Sequence, residues 1–128
     1  MSTYLKIADL DTTVVSRKIV EDIRLDQTAI VDVTQGSGTL FTIEVDATAT
    51  QTHQYLKLKF TTTDVTVGTT VPDMMVMCAA AKRFVLEIPG GFSYTGLSAW
   101  LVSSEADSGA ANSEATAGRY TIVRFICT

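Results

Sequence analysis

The sequence predicts an all-β fold: a single, jelly-roll-like β-sandwich of about seven or eight antiparallel strands. Threonine is the commonest residue, and charged residues make up only 19% of the 128-residue chain, so β-branched residues far outnumber Glu, Lys and Gln. That composition favours strands over helices. A chain of this length fits one domain and buries a core without disulfides or metal ions.

Three short apolar runs in the middle of the chain predict its central strands, at residues 74–81, 84–88 and 97–102. Each run is too short for an isolated helix and is bounded by Pro, Gly or a charged pair. Pro72 suits the start of a strand, because proline cannot donate a hydrogen bond to a neighbouring strand. Pro89-Gly90-Gly91 predicts the end of a strand, since this combination interrupts strand pairing.

Four other segments carry strand patterns. Residues 29–33 are predicted to form a strand that a Gly-containing turn closes. Residues 41–46 and 55–60 alternate apolar and polar side chains, which predicts two half-buried strands that pair as antiparallel neighbours, with Lys57 on an exposed face. Residues 120–127 are almost continuously apolar, which is typical of a strand between two others. The expected core residues are Phe41, Ile43, Val45, Leu56, Leu58, Phe60, Phe84, Leu86, Leu97, Leu101, Val123 and Phe125.

The chain divides into an N-terminal arm or short element at residues 1–27 and a β-sandwich domain at residues 28–128. The first segment has no clean period, so helix and extended arm are both open. Its aliphatic side chains need burial, against this core or a neighbour's. Residues 103–119 are small and polar, which predicts a long surface loop.

Charge and apolar patterning limit the classes of partner. Ten Lys and Arg against fourteen Asp and Glu give a net charge of −4, and basic residues cluster only at Arg17-Lys18 and Lys82-Arg83. This argues against nucleic acid. The N-terminus lacks the apolar region of a secretory signal, and no stretch reaches the roughly 20 apolar residues that span a bilayer. We therefore expect a protein made in the cytoplasm, with no membrane partner and with Cys78 and Cys127 as free buried thiols.

Residues that commonly carry chemistry are sparse. His53 is the single histidine, so one chain cannot build a multi-histidine or Cys/His site, and we expect a surface histidine. Glu44 and Asp46 share a strand face, where alternating carboxylates are the ordinary polar side of a half-buried strand. Gly36-Ser37-Gly38 lacks the lysine and helix of a phosphate-binding loop. The sequence predicts no enzyme, no catalytic residue, no metal site and no cofactor.

Other residues point to contacts with proteins or sugars. Trp100, Phe92 and Tyr94 would make an aromatic platform for a sugar, although Trp100 lies in an apolar run and is expected in the core. A strand that is apolar on both faces, as at Met75 and Met77, needs a second sheet or subunit to cover it. Closed cyclic symmetry is the usual solution, and we expect a homotrimer. The predicted interface residues are Val15, Ile19, Ile23, Met75 and Met77.

Four short motifs occur in a suggestive order. They are Tyr55-Leu56-Lys57-Leu58, residues 66–73 (TVGTTVPD), Ile88-Pro89-Gly90-Gly91-Phe92 and Gly96-Leu97-Ser98. This succession resembles small β-sandwich proteins encoded among the structural genes of tailed bacteriophages, of the head decoration or cement type.

The resemblance implies a virion structural protein, assembled in the host cytoplasm, that binds the major capsid protein on the outer capsid surface. It also implies a homotrimer at symmetric points of the head, which it stabilises. Two alternatives remain open: a tail, neck or fibre component of a phage, and a carbohydrate-binding β-sandwich adhesin.

Overall fold

A computed structural model describes residues 4–9 and 17–128 of the chain. In these ranges the chain forms eight strands and one single-turn helix. They are β1 (Leu5–Asp9), β2 (Lys18–Leu25), β3 (Gly38–Asp46), β4 (Gln54–Lys59), β5 (Met74–Cys78), β6 (Arg83–Tyr94), β7 (Ser98–Val102), α1 (Ser113–Thr116) and β8 (Thr121–Cys127). No helix in the described part of the chain is long and apolar enough to cross a membrane.

Two antiparallel sheets enclose one hydrophobic core, which confirms the predicted all-β sandwich. The five-stranded sheet has the order β1-β2-β8-β3-β6, and the three-stranded sheet has the order β5-β4-β7. Alternate side chains of each strand point into the space between the sheets, as period-two patterning requires. Of the expected core residues, Ile43, Val45, Leu56, Leu58, Leu97, Leu101, Val123 and Phe125 are buried, while Phe60, Phe84 and Leu86 pack partly buried against them.

Strand β8 lies between β2 and β3, as its apolar sequence predicts. Phe125 is paired with Val20 on one side and with Ile43 on the other, and all three side chains are buried. A strand with neighbours on both sides satisfies its backbone groups entirely within the sheet. The C-terminal strand therefore anchors the centre of the five-stranded sheet.

The predicted pairing of residues 41–46 with residues 55–60 is wrong. Strand β3 pairs with β6 and β8, whereas β4 pairs with β5 and β7 in the other sheet. Both segments turn an apolar face to the same core, but from opposite sides of it. The alternation of apolar and polar side chains predicts that one face of a strand is buried. It does not predict which sheet contains the strand.

The core position predicted for Phe41 is occupied by Leu40. On β8, Leu40 is paired with Cys127 and Thr42 with Ile126, so β3 carries one extra residue at this point. Such a bulge reverses the inward and outward alternation on one side of it. Leu40 is consequently fully buried, and Phe41 is half-buried with the Arg17 guanidinium 3.5 Å from its ring centre.

Pro89-Gly90-Gly91 does not end a strand, contrary to expectation. Strand β6 continues through it, and the pairing of Thr42 with Glu87 is followed by that of Leu40 with Phe92. The irregularity is accommodated because β6 is an edge strand, where proline removes no ladder hydrogen bond, and because both glycines adopt positive φ, of 77° and 78°.

Residues 29–33 form an irregular segment with one isolated bridge, from Ile30 to Ala99, and not the predicted strand. The Val33 amide donates to the Leu97 carbonyl at 2.6 Å, and the Leu101 amide donates to the Asp26 carbonyl at 2.8 Å. The segment connects β2 to β3, both in the five-stranded sheet, and covers the outer edge of β7 on the way. A run of Ile30, Val31 and Val33 before a glycine-containing turn does not distinguish this irregular segment from a regular strand.

The described parts of residues 1–27 are extended and belong to the sandwich. Strand β2 pairs with both β1 and β8, and its Val20 and Leu25 side chains are buried. Of the helix and the extended arm that the sequence left open, these parts are extended strand. Removing β2 would expose one side of β8, so this strand is not an appendage that detaches from a complete sandwich.

Candidate interaction surface

One side of the sandwich, formed by β5 and β6, concentrates the exposed apolar side chains. These two strands are edge strands of different sheets. Met75 and Met77 on β5 are 44% and 52% exposed, and Val85 and Phe92 on β6 are 57% and 45% exposed. We call this the β5–β6 side. Met75 and Met77 project from the outer face of the three-stranded sheet and Val85 from the outer face of the five-stranded sheet, so these side chains flank the side and do not form one patch. Large exposed apolar side chains on two edge strands of a small domain are candidates for contact with another protein.

A groove of about 500 Å³ opens at one end of the β5–β6 side. Phe60 and Phe92 form its aromatic wall, with ring centroids 4.6 Å apart, and Met74 and Ile88 line it from the two edge strands. Asp73 stands at the rim and accepts hydrogen bonds from the Phe60 amide at 2.9 Å and from Lys59 Nζ at 3.0 Å. The Phe60 amide and, next, Lys59 lower the pKa of this carboxyl, so it stays charged. The groove thus has an apolar floor and an anionic rim.

The predicted interface residues do not form one surface. Met75 and Met77 project from the outer face of the three-stranded sheet, because their neighbours Met74, Val76 and Cys78 face the core. Ile19 and Ile23 lie half-buried on β2, in the other sheet. Val15 lies outside the described residues. The structure therefore brings the two methionines together and leaves the two isoleucines on the opposite face of the sandwich.

The three aromatic residues considered for a sugar platform are also separated. Trp100 and Tyr94 are only 1% and 6% exposed, so neither ring is available to a sugar. Tyr94 belongs to the hydrophobic core, whereas Trp100 is buried on the outer face of β7, opposite Lys57, and not in the core expected for it. Phe92 alone is exposed, and it stacks on Phe60. A flat platform of several exposed rings is not what these three residues build.

Candidate chemical groups are used for structure. His53 accepts a hydrogen bond at Nδ1 from the Ala80 amide at 2.9 Å. Asp46 accepts from Thr48 and pairs with Arg83 at 2.8 Å, and the Thr48 hydroxyl, followed by Arg83, lowers its pKa to about 2. Glu44 lies 3.8 Å from Arg124 in an ion pair. Each of these groups stabilises a turn or holds two strands together, and none is arranged to act on a substrate.

Both cysteines are free and buried, as predicted. Burial raises the pKa of the Cys78 thiol to about 12, and burial likewise raises the pKa of Cys127. A thiol with a raised pKa carries little thiolate at neutral pH and reacts slowly. Within the described ranges, no three His, Cys, Asp or Glu side chains group as a metal site.

The sequence did not predict the polar cluster of Lys57 and Asn112, which lies under residues 103–119. Lys57, expected on an exposed face, is 1% exposed, and its Nζ donates to the Ala106 carbonyl at 2.6 Å. Asn112 caps α1 through the Ala115 amide and donates to the Leu101 carbonyl at 2.9 Å. The segment thus contains a helical turn and covers the part of the outer face that β4 and β7 form. Asn112 as the N-cap, with Gly118 six residues later, is a recognisable signature of a short helix.

A second cavity, of about 770 Å³, lies beside the start of β1 and the end of β2. The Arg24 guanidinium stands 4.4 Å from the Tyr4 ring centre and 4.5 Å from that of Tyr120. Asp22 is 2% exposed, and its Oδ2 has no hydrogen-bond partner in the described part of the chain. Burial raises the pKa of this carboxyl. The cavity combines one buried acid with a cation held between two rings.

Comparison with protein-family models, with curated proteins and with solved structures gave no match.

Proposed function

We propose that this chain is a structural protein of a tailed-phage virion, a decoration or cement protein that binds the outer capsid surface and stabilises the head. The order of four short sequence motifs supports the family. The carrying structural observation is the β5–β6 side, where four large apolar side chains are exposed. Adaptable methionines beside an apolar groove suit permanent contact with another protein.

The proposed mode of action needs no chemistry. The sandwich acts as a rigid body, and the outer face of β5, with Met75 and Met77, contacts a capsid subunit or a sister chain. Each contact is small, so several copies joined in one homo-oligomer hold the surface far more firmly than one copy would. The trimer suggested by the resemblance is part of this proposal, and the order of the oligomer is a measurable quantity.

The decisive experiment locates the protein on virions encoded by the same genome. We expect mass spectrometry to find it in purified particles, gold-labelled antibodies to mark the head, and particles lacking it to break at a lower temperature. A variant with Met75→Asp and Met77→Asp should leave particles undecorated, because it places two charges in the apolar contact. Ser108→Asp, an equally exposed change in the polar 103–119 segment, is the matched control.

Two results would contradict the proposal and favour another function. Gold label confined to the tail or neck favours a tail, neck or fibre component. Binding on a glycan array favours a carbohydrate-binding adhesin, which would depend on Phe92 or on the cavity of Tyr4 and Tyr120, since Trp100 and Tyr94 are buried.

A further inference from the structure

We propose that β6 pairs with β6 of a second copy of this chain, antiparallel and centred on Val85, so that two five-stranded sheets join across a two-fold axis. This self-pairing does not depend on a role in a virion. It follows from the edge position of β6, whose outer side pairs with no strand in the described part of the chain, from the charges along it and from the partly buried core residues beside it.

The backbone of β6 is prepared for a partner on its outer side. Strand β6 ends the five-stranded sheet, with β3 as its neighbour. The Ala47 amide donates to the Lys82 carbonyl at 2.8 Å, and the register continues with Asp46 opposite Arg83. Backbone groups alternate sides along an antiparallel strand. Those of Phe84 and Leu86 therefore point to β3, and those of Arg83, Val85 and Glu87 point outward.

The charges on β6 select one register. A two-fold axis at Val85 sets Val85 opposite its own copy and Arg83 opposite Glu87 of the second chain, twice per dimer. An axis at Arg83 or at Glu87 would set like charges opposite each other, which destabilises a strand pair. An axis at Phe84 or Leu86 would set a charged side chain opposite Val85. The Val85-centred register alone satisfies both charges and the apolar residue.

Both charged side chains can form a further ion pair with a second chain. Arg83 is 71% exposed and binds Asp46 through Nε and Nη2, which leaves Nη1 for a second carboxylate. Glu87 is exposed and has no ion pair in the described part of the chain. The two side chains lie on the same face as Val85, because residues two apart in a strand share a face.

The core is also incomplete along this edge. Phe84, Leu86 and Ile88 face inward on β6 yet remain only partly buried, whereas the inward residues of the central strand β8 are fully buried. A second β6 in the proposed register places its Leu86 beside Phe84 and its Phe84 beside Leu86. The two cores would thereby extend across the axis. Pro89 has no amide proton to donate to a second β6, and the register shifts at residues 88–91, so the proposed pairing is limited to residues 83–87.

The test uses two charge reversals and their mixture. Arg83→Glu and Glu87→Arg each put like charges opposite each other in the self-pair, and each should raise the dimer dissociation constant by about tenfold or more. Mixed in equal amounts, the two variants should form a heterodimer as tight as the wild-type dimer. In that heterodimer one strand carries two acids and the other two bases, so both cross-strand pairs join opposite charges. Sedimentation equilibrium gives the masses against 13.8 kDa for one chain.

A third variant tests the contact even if the two charge-reversal variants fail to fold. Val85→Pro removes only an outward-pointing amide, so it should remain folded by urea unfolding while losing the dimer. Glu105→Arg, a charge reversal in the exposed loop, is the control and should keep the wild-type mass.

A wild-type chain that is monomeric, or that forms a trimer without any even-numbered species, would overturn the two-fold contact. A dimer that survives in Val85→Pro, or a charge-reversal mixture that stays dissociated, would do the same. Dimers or hexamers restored by mixing support it. Particle decoration is measured separately, so loss of the proposed virion role leaves this result standing.

Discussion

Replacing Glu114 by Gln is expected to lower the free energy of unfolding at pH 7 and to have much less effect near pH 3. Glu114 is fully buried in α1, and its carboxylate joins Thr52, 62 residues away in the loop between β3 and β4, to Arg119. Its Oε1 accepts from the Thr52 amide at 2.9 Å and the Thr52 hydroxyl at 2.6 Å, and its Oε2 accepts from Arg119 Nε. Arg119, followed by Thr52, lowers the pKa of this carboxyl to about 2 against the opposing effect of burial.

The expected loss at pH 7 is about 2–3 kcal/mol. Gln keeps the shape and one acceptor oxygen, but it turns an amide donor or a neutral oxygen toward Arg119 and forfeits a charge-assisted hydrogen bond worth roughly 1.5–3 kcal/mol. Breaking a fully buried ion pair costs about 3–5 kcal/mol. Arg119 is 33% exposed, so water can solvate its guanidinium once the carboxylate is gone. The expected loss of unfolding free energy therefore lies nearer the first of these two ranges.

The pH dependence identifies the charge as the cause. A carboxyl whose folded-state pKa is depressed contributes stability above its unfolded pKa, and that contribution is lost as pH falls through the folded pKa. For Glu114 this window runs from the ordinary value of 4.5 down to about 2. The wild-type and Glu114→Gln curves should therefore converge as the pH falls from 4.5 toward 2.

Urea unfolding followed by the fluorescence of Trp100, which is buried, measures both curves. Glu105→Gln makes the same chemical change at an exposed position of the same segment and should shift stability by less than about 0.5 kcal/mol. The reasoning fails if Glu114→Gln behaves like this control at pH 7, or if its deficit at pH 3 equals that at pH 7.

Three further outcomes are expected in the same assay. Gly91→Ala should cost about 2–4 kcal/mol, from left-handed strain plus a Cβ atom 2.4 Å from Thr39 Cγ2, whereas Gly90→Ala, which has open space, should cost about 1–2 kcal/mol; equal losses would exclude the steric cause. Lys57→Met should preserve or raise stability by up to about 1 kcal/mol, because burial lowers the pKa of this lysine, and a large loss would contradict that account. Leu58→Ala should cost about 3–5 kcal/mol and Leu86→Ala less in the monomer, because Leu86 is only partly buried; the reverse order would be inconsistent with the open edge.

Side-chain alternation predicted the parts of the fold that depend on one strand at a time. It identified the inward faces of β4 and β8, because Leu56, Leu58, Val123 and Phe125 obey a strict two-residue period. It failed at Leu40, because β3 carries one extra residue there against β8, a strand that is distant in sequence. Sheet membership failed for the same reason, since pairing is a long-range property.

The burial of the polar residues could not be predicted from the sequence, because it too depends on contacts between distant segments. Lys57 occupies an outward position of β4, which alternation assigns to solvent, and it is buried only because residues 103–119 fold over it. The asparagine cap of α1 is readable locally, but the burial of Glu114 requires Thr52 to approach it. In contrast, exposed Met75 and Met77 follow from a strand that is apolar on both faces, and the structure places them on the surface.

The two sides of the sandwich differ in how much of the chain covers them, and this difference supports the proposal that a partner contacts β5 and β6. Along β7, residues 26–34 supply backbone hydrogen bonds to the sheet edge, and over β4 and β7 the 103–119 segment buries Lys57, Asn112 and Glu114. Ordering so many polar groups costs conformational entropy and desolvation, which their hydrogen bonds offset. Along β5 and β6 the chain provides no comparable cover within its described residues, although Met75, Met77, Val85 and Phe92 are exposed there. This is the arrangement expected if another protein covers these two edge strands.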